Sequence, residues 1–308
     1  MIRFSMFGKH ISQSKSRIPN IENRKSKTNM KFSNIKITTF IFAITCGILS
    51  CETDSNLIEG GIKPVVEGYL VAGRPISIIV KKEIAFTEDN SAVETPILGL
   101  NIKVSGDGQT YALKSSGNGL YESDKTVKLK VGSTYTLAFD YNGKAISAST
   151  IIPTKPLGFT TDLTSIARTK LDLSSGSTNI RNPDGNTDVN LKWTNSASEY
   201  HFVVADNVET NPVAIITLPT NTNFQDIIRR FRSQPVQGTT TLLRSQQFQY
   251  FGKHNLVLLK VNPDYVALYN SSGTTSQNIS TPPTTITNGL GIFTGINADT
   301  LAFSVKQK

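Results

Sequence analysis

The chain has 308 residues, with 32 lysines and arginines against 23 aspartates and glutamates, a formal charge of +9 and only two cysteines. Nine of the basic residues, against Glu22 alone, fall in the first 50 positions, so residues 51–308 keep 23 basic and 22 acidic side chains, a net of +1. The basicity belongs to a leader: the remainder has no evident basic face for counterion-release binding to nucleic acid, and its single cysteine rules out an internal disulfide framework.

Residues 1–29 are polar and basic with no apolar period, and are expected to be disordered. They precede what reads as a complete export signal over residues 30–50, so Met30 is the start expected and 1–29 an upstream extension, the alternative being a long n-region. Lys31 and Lys36 form the charged region, an apolar run extends from Ile37 to Leu49, and Ile48-Leu49-Ser50-Cys51 closes it. That run is only about two-thirds of the roughly 20 residues a membrane-spanning helix needs, and Thr38, Thr39 and Thr45 dilute it. The closing tetrapeptide looks like a lipobox, with cleavage between Ser50 and Cys51 and acylation of the Cys51 thiol. Residues 51–63 then form a polar tether, in which Glu52 and Asp54 resemble the acidic surface-export signal of Bacteroidota lipoproteins.

From Cys51 onward, 258 residues rich in Thr, Ser, Val, Ile and Gly show short apolar runs between turn signals, which predicts a mainly β protein. Over 64–153, alternation predicts strands at Val65–Leu70, Ile76–Val80, Leu100–Val104, Gln109–Leu113, Thr126–Leu129, Thr134–Phe139 and Ala145–Ile152. Phe86–Thr95 reads as an exposed loop, and Gly106-Asp107-Gly108 and Tyr141-Asn142-Gly143-Lys144 read as tight hairpins. Strands at this spacing argue for an immunoglobulin-like or prealbumin-like sandwich. Pro153-Thr154-Lys155-Pro156 marks a linker to a second β-rich part over 157–308.

In that second part Val189, Leu191 and Trp193 fall on one strand face and Tyr200, Phe202 and Val204 on the next, resembling a fibronectin type III hairpin with Trp193 in the core. Phe224, Ile227, Ile228 and Phe231 recur at helical spacing and predict a short helix with Arg229, Arg230 and Arg232 on its polar side. Phe248–Phe251 and Leu256–Val261 read as paired strands. A short helix starting at Pro263-Asp264 puts Tyr265, Leu268 and Tyr269 on one face. Asp184, Asn186 and Asp188 alternate like calcium ligands, but Gly185 comes early and no closing glutamate follows, so a turn is expected and no metal.

No catalytic constellation is evident. After Cys51 the histidines are His201, on a strand, and His254, at a turn, both expected at the surface; no metalloprotease, nucleophile-elbow, phosphate-loop or Cys-x-x-Cys pattern occurs. Gly289-Leu290-Gly291 precedes no helix and reads as close packing of backbones between the two parts. Asp299-Thr300-Leu301 resembles a periplasmic O-glycosylation site, with Thr300 as acceptor.

Taken in order, Cys51, Pro64-Val65-Val66-Glu67-Gly68, Val131-Gly132-Ser133-Thr134-Tyr135-Thr136-Leu137, Ile152-Pro153, the Tyr265–Tyr269 helix and Thr287-Asn288-Gly289-Leu290-Gly291-Ile292-Phe293 resemble the domain-of-unknown-function family 4249, lipoproteins of Bacteroidota. The segment 270–285 departs from that pattern in being short and rich in Ser and Thr. The resemblance implies a lipid-anchored protein of the outer membrane that acts as an accessory to a TonB-dependent, SusC-like transporter; exposure at the cell surface rests on Glu52 and Asp54 alone. Neither enzymatic activity nor a cofactor is expected. The other reading is an adhesive or scaffolding surface protein.

Overall fold

The structure, a computed structural model, describes residues 62–84, 94–174, 184, 187–217, 228–271 and 282–308. The first strands follow the predicted alternation: β1 (Pro64–Val71) buries every second residue, and β2 (Ser77–Lys82) pairs with it antiparallel. Next come β3 (Lys103–Gly106), β4 (Gln109–Ala112), β5 (Lys114–Gly117), β6 (Leu120–Glu122), β7 (Thr134–Tyr141) and β8 (Lys144–Ile151). Both predicted hairpins form, with Asp107 and Gly108 at φ 53° and 71° and Asn142 and Gly143 at φ 50° and 73°. Positive φ at both central residues matches the twist of the flanking strands. Thr126–Leu129 is not a strand. It lies against the turn after β1, where the Leu129 carbonyl accepts from the Gly73 N–H at 2.8 Å. Of the predicted exposed loop 86–95, residues 86–93 lie outside the described residues.

The later strands are β9 (Leu157–Thr161), β10 (Ser165–Arg168), β11 (Leu171–Asp172), β12 (Asp188–Thr194), β13 (Tyr200–Asn207), β14 (Ile216–Thr217), β15 (Arg230–Arg232), β16 (Thr240–Arg244), β17 (Gly252–Val261) and β18 (Leu290–Gln307), with α1 (Pro263–Ser271) between the last two. Among the described residues these strands form four sheets. A nine-stranded sheet runs β15-β13-β17-β18-β1-β2-β6-β5, with β10 also on β18; the others are β4-β3-β7-β8, β16-β12-β9 and β11-β14.

Two apolar cores result. One is built from strands of the 64–152 region, including Val66, Ile78, Val104, Leu137 and Ile146, with Phe293 added from β18. The other gathers Val189, Leu191, Trp193, Val203, Leu256 and Leu258, with Phe303 and Val305 from the far end of β18. β18 serves both because it is 18 residues long, roughly 60 Å if straight. Leu290–Ile296 run parallel to β1, Ile296–Val305 run antiparallel to β17, and Ser304–Gln307 take β10. The close approach expected of the glycine-rich segment is present: a Cβ on Gly291 would lie 2.1 Å from the Val66 carbonyl oxygen, and one on Gly295 would lie 2.2 Å from that of Ile151. Only glycine fits there, and at Gly291 φ is also +97°.

The Pro153–Pro156 connection is tied down at several points. Asn297 donates to the Pro153 carbonyl at 2.9 Å, Lys260 donates to Thr154 Oγ1 at 2.6 Å, and Lys155 pairs with Asp299 at 2.8 Å.

Three sequence expectations are corrected here. β12 and β13 are consecutive but do not form a hairpin: β12 lies between β16 and β9, and β13 lies in the large sheet. The connecting turn carries the chain between sheets. Asn195 holds it by accepting from the Glu199 N–H and donating to the Glu199 carbonyl, both at 2.9 Å. Phe231, expected on a helix, sits in β15 opposite Ala205, because Arg230-Phe231-Arg232 alternates and only Phe231 packs toward the second core. Phe224 and Ile227 lie outside the described residues. Phe248–Phe251 is not a strand; β17 pairs instead with β13 and β18.

Candidate functional site

The two histidines expected at the surface are buried, at 1% and 3% exposure. His201 and His254 lie six positions apart along the β13–β17 ladder, roughly 20 Å, and each ring sets Nδ1 3.0 Å from a carbonyl two residues back, of Glu199 and Gly252. Rings of the second core pack on them, Trp193 on His201 and Phe248 on His254, and His254 Nε2 also lies 3.5 Å from Asn207 Nδ2. Burial holds both imidazoles below the ordinary histidine range, and they pack as neutral aromatic groups. Trp193 is a core residue, as expected, and its Nε1 has no hydrogen-bond partner among the described residues.

Asp184, from the would-be calcium loop, is fully engaged with donors. Its Oδ2 accepts from Arg168 Nε at 3.0 Å and the Thr169 N–H at 2.9 Å, and its Oδ1 accepts from Thr169 Oγ1 at 2.8 Å and Lys308 Nζ at 2.9 Å. Burial opposes ionisation, but the bonds from Lys308, Thr169 and Arg168 outweigh it and hold the carboxyl well below the usual range. Arg168, 5% exposed, also donates to the carbonyls of Ser245 and Phe248. Both oxygens are thus taken by donors, two of them cationic, and no group of three or more metal-ligating side chains occurs among the described residues. Asn186 lies outside them, and Asp188 starts β12, exposed.

A cleft of about 580 Å³ opens where two edge strands meet, β15 of the large sheet and β16 of the three-stranded one. β15 contributes Arg230, Phe231 and Arg232, with Ile228 just before it. The opposite wall is Arg244 at the end of β16, Gln246 and Gln247 in a short 3₁₀ turn (Ser245–Gln247), and Gln249.

The arginines near this cleft differ in state. Arg230 is neutralised by a fork to Asp206, Nε to Oδ1 at 3.1 Å and Nη2 to Oδ2 at 2.7 Å. Arg229 points elsewhere, its Nη2 donating to the Glu209 carbonyl at 2.5 Å. Arg232 is held in an aromatic cage: its guanidinium lies 4.7 Å from the Tyr269 ring centroid and 5.5 Å from that of Phe202, and Nη1 donates to the Tyr265 hydroxyl at 2.8 Å. Edge-on contacts Phe202–Tyr265, Phe202–Tyr269 and Tyr69–Tyr265, at 5.4, 5.2 and 6.0 Å, lock the cage to α1 and β1. Arg244 is exposed, and neither it nor Arg232 is ion-paired among the described residues.

The glutamines are oriented by backbone donors. Gln249 Oε1 accepts from the Ile228 N–H at 2.7 Å, and Gln247 Oε1 accepts from the Arg244 N–H at 2.8 Å. A backbone N–H demands oxygen, so both amides are fixed with their NH₂ ends away from those contacts. Of the lining arginines, Arg230 is paired with Asp206, Arg232 has its guanidinium among the rings on the α1 side of the sheet, and Arg244 is exposed.

Ser50, Cys51, Glu52 and Asp54 lie outside the described residues. Thr300 is exposed on β18 opposite Val257, and its N–H donates to Asp299 Oδ1 at 2.9 Å. Arg244 and the glutamines carry no sequence motif; Arg230 and Arg232 lie on a strand rather than on the expected helix. The period-two Arg-Phe-Arg triplet was the available signal for β15.

The fold defines a mainly β protein with several sheets, with a cleft lined by residues of β15 and of the end of β16. A family described as a domain of unknown function, DUF4249, matches residues 52–302, and the chain belongs to that family. No curated protein matches the chain.

Proposed function

We propose that this is a non-enzymatic, lipid-anchored lipoprotein of the outer membrane that acts as a binding accessory to a TonB-dependent, SusC-like transporter. The observation that carries this reading is the junction at Cys51: the lipobox ends at that residue and the family match begins at the next, residue 52. Anchor and family match are thus contiguous in sequence, with Glu52 and Asp54 as a surface-export signal and Thr300 as a glycosylation acceptor. The two-layer arrangement of the 64–152 region, β4-β3-β7-β8 sharing a core with β1, β2 and β6, supports an immunoglobulin- or prealbumin-like sandwich there.

Mild detergent extraction from the native membrane, followed by affinity capture, tests the partnership. A large β-barrel transporter is expected to co-purify with the wild type and to be lost with Cys51→Ala. Recovery of acylated monomer free of any transporter under several detergents would overturn the accessory role.

A further inference from the structure

We infer that the end of the β1–β2 pair where the chain enters the fold, marked by Ile62 and Ile84, rests on the membrane surface. On the core-facing side of these strands the register sets Val66 opposite Val80, both fully buried, and then Pro64 opposite Lys82. The Glu83 N–H donates to the Lys63 carbonyl at 2.9 Å and carries the pairing one step further. By the same register Ile62 and Ile84 come next as a facing pair, yet they are 53% and 46% exposed. An apolar row thus runs past the end of the first core into solvent. Two large aliphatic side chains set side by side at one end of the strands form a local patch rather than scattered surface residues.

Positive charge flanks that pair. Lys63 and Lys82 are exposed beside it, whereas Lys81 is matched by Glu67 and Glu94. The Tyr141–Lys144 turn lies at the same end, because Asn288, two positions before the Leu290 that pairs with Val65, donates to the Ala145 carbonyl at 2.9 Å. It adds the exposed Lys144, so three lysines stand against Glu83 and Asp140 there. Isoleucines flanked by lysines suit the boundary of a bilayer, where acyl chains take the apolar groups and lipid phosphates the ammonium groups. Position assigns the partner to lipid. Ten residues separate Ile62 from Cys51, a tether of about 40 Å at full stretch, so the proposed anchor holds this end within reach of the bilayer. The inference rests on the anchored reading proposed above and adds to it the face that the fold turns to the membrane.

Because an acylated Cys51 has no free thiol, single introduced cysteines report position. Ile62→Cys and Ile84→Cys, both at exposed positions that tolerate exchange, are labelled with a polarity-sensitive dye, as is Leu242→Cys, half-exposed on β16 in another sheet. The whole lipoproteins are reconstituted in vesicles of phosphatidylethanolamine and phosphatidylglycerol. Blue-shifted emission and quenching by brominated acyl chains are expected at positions 62 and 84 and not at 242. Equal emission at all three positions would overturn the inference, and so would a blue shift without bromine quenching, which would mean burial against protein. Wild-type protein is the control on the anchor. If it takes up dye, Cys51 is free and the anchored reading falls, and the contact with it; if it stays unlabelled, the result at positions 62 and 84 judges the contact alone.

Discussion

The two cores differ in what they bury. Among the described residues, the buried polar groups around the first include Ser123 and Thr150 but no charged or imidazole side chain; around the second, Arg168, His201, His254 and Lys260 are all buried. A core of alternating apolar residues closed by tight hairpins is specified locally, by period and turn chemistry. One that encloses charges depends on partners far away in sequence, as Arg168 depends on Asp184, Ser245 and Phe248. The first region therefore behaves as scaffold, and the second holds the polar networks and the cleft.

Because β18 serves both cores, its substitution should erase the contrast and have the largest effect. Gly291→Ala forces a Cβ to within 2.1 Å of the Val66 oxygen at a φ suited to glycine, and is expected to cost about 4 kcal/mol, seen as loss of hydrogen-exchange protection in both cores. Asp184→Ala should sharpen the contrast: it leaves Arg168 and Lys308 without their carboxylate and is expected to cost about 3 kcal/mol in urea unfolding, with the protection loss confined to the second core. Leu137→Ala is the mirror test, costing about 3 kcal/mol from the cavity it leaves in the first core.

Acid should separate the regions next. A histidine whose folded pKa is depressed binds fewer protons folded than unfolded, so stability falls as pH drops below the unfolded value of about 6.5. His201 and His254 should therefore weaken the protein between pH 7 and 5, and His201→Gln with His254→Gln should flatten that limb. Asp184 acts lower: its contribution is complete above about pH 4 and is lost as the pH falls toward its depressed folded value. The smallest effect in urea unfolding, within about 0.5 kcal/mol, is expected for Arg244→Gln, because Arg244 is exposed.

Most of the first region was legible because its signals are local: β1, β2, β7 and β8 follow alternation, and Asp-Gly and Asn-Gly set the hairpins. The second was less legible. Trp193 was readable as core from its strand face, but its partner His201 comes from the opposed sheet, which no hairpin rule foretells. The Phe224–Phe231 spacing suggested a helix, whereas pairing with β13 makes Arg230–Arg232 a strand edge. The cleft was illegible as a unit, since Arg232 owes its cage to α1 and β13, and Gln249 owes its orientation to the distant Ile228 N–H.

The reading of the whole chain as an anchored protein rests on the fate of one thiol. Intact and peptide mass spectrometry of the protein from its native membrane should find an N-terminal residue Cys51 carrying acyl chains, with everything before it removed. An unacylated chain that retains residues 30–50 would contradict it.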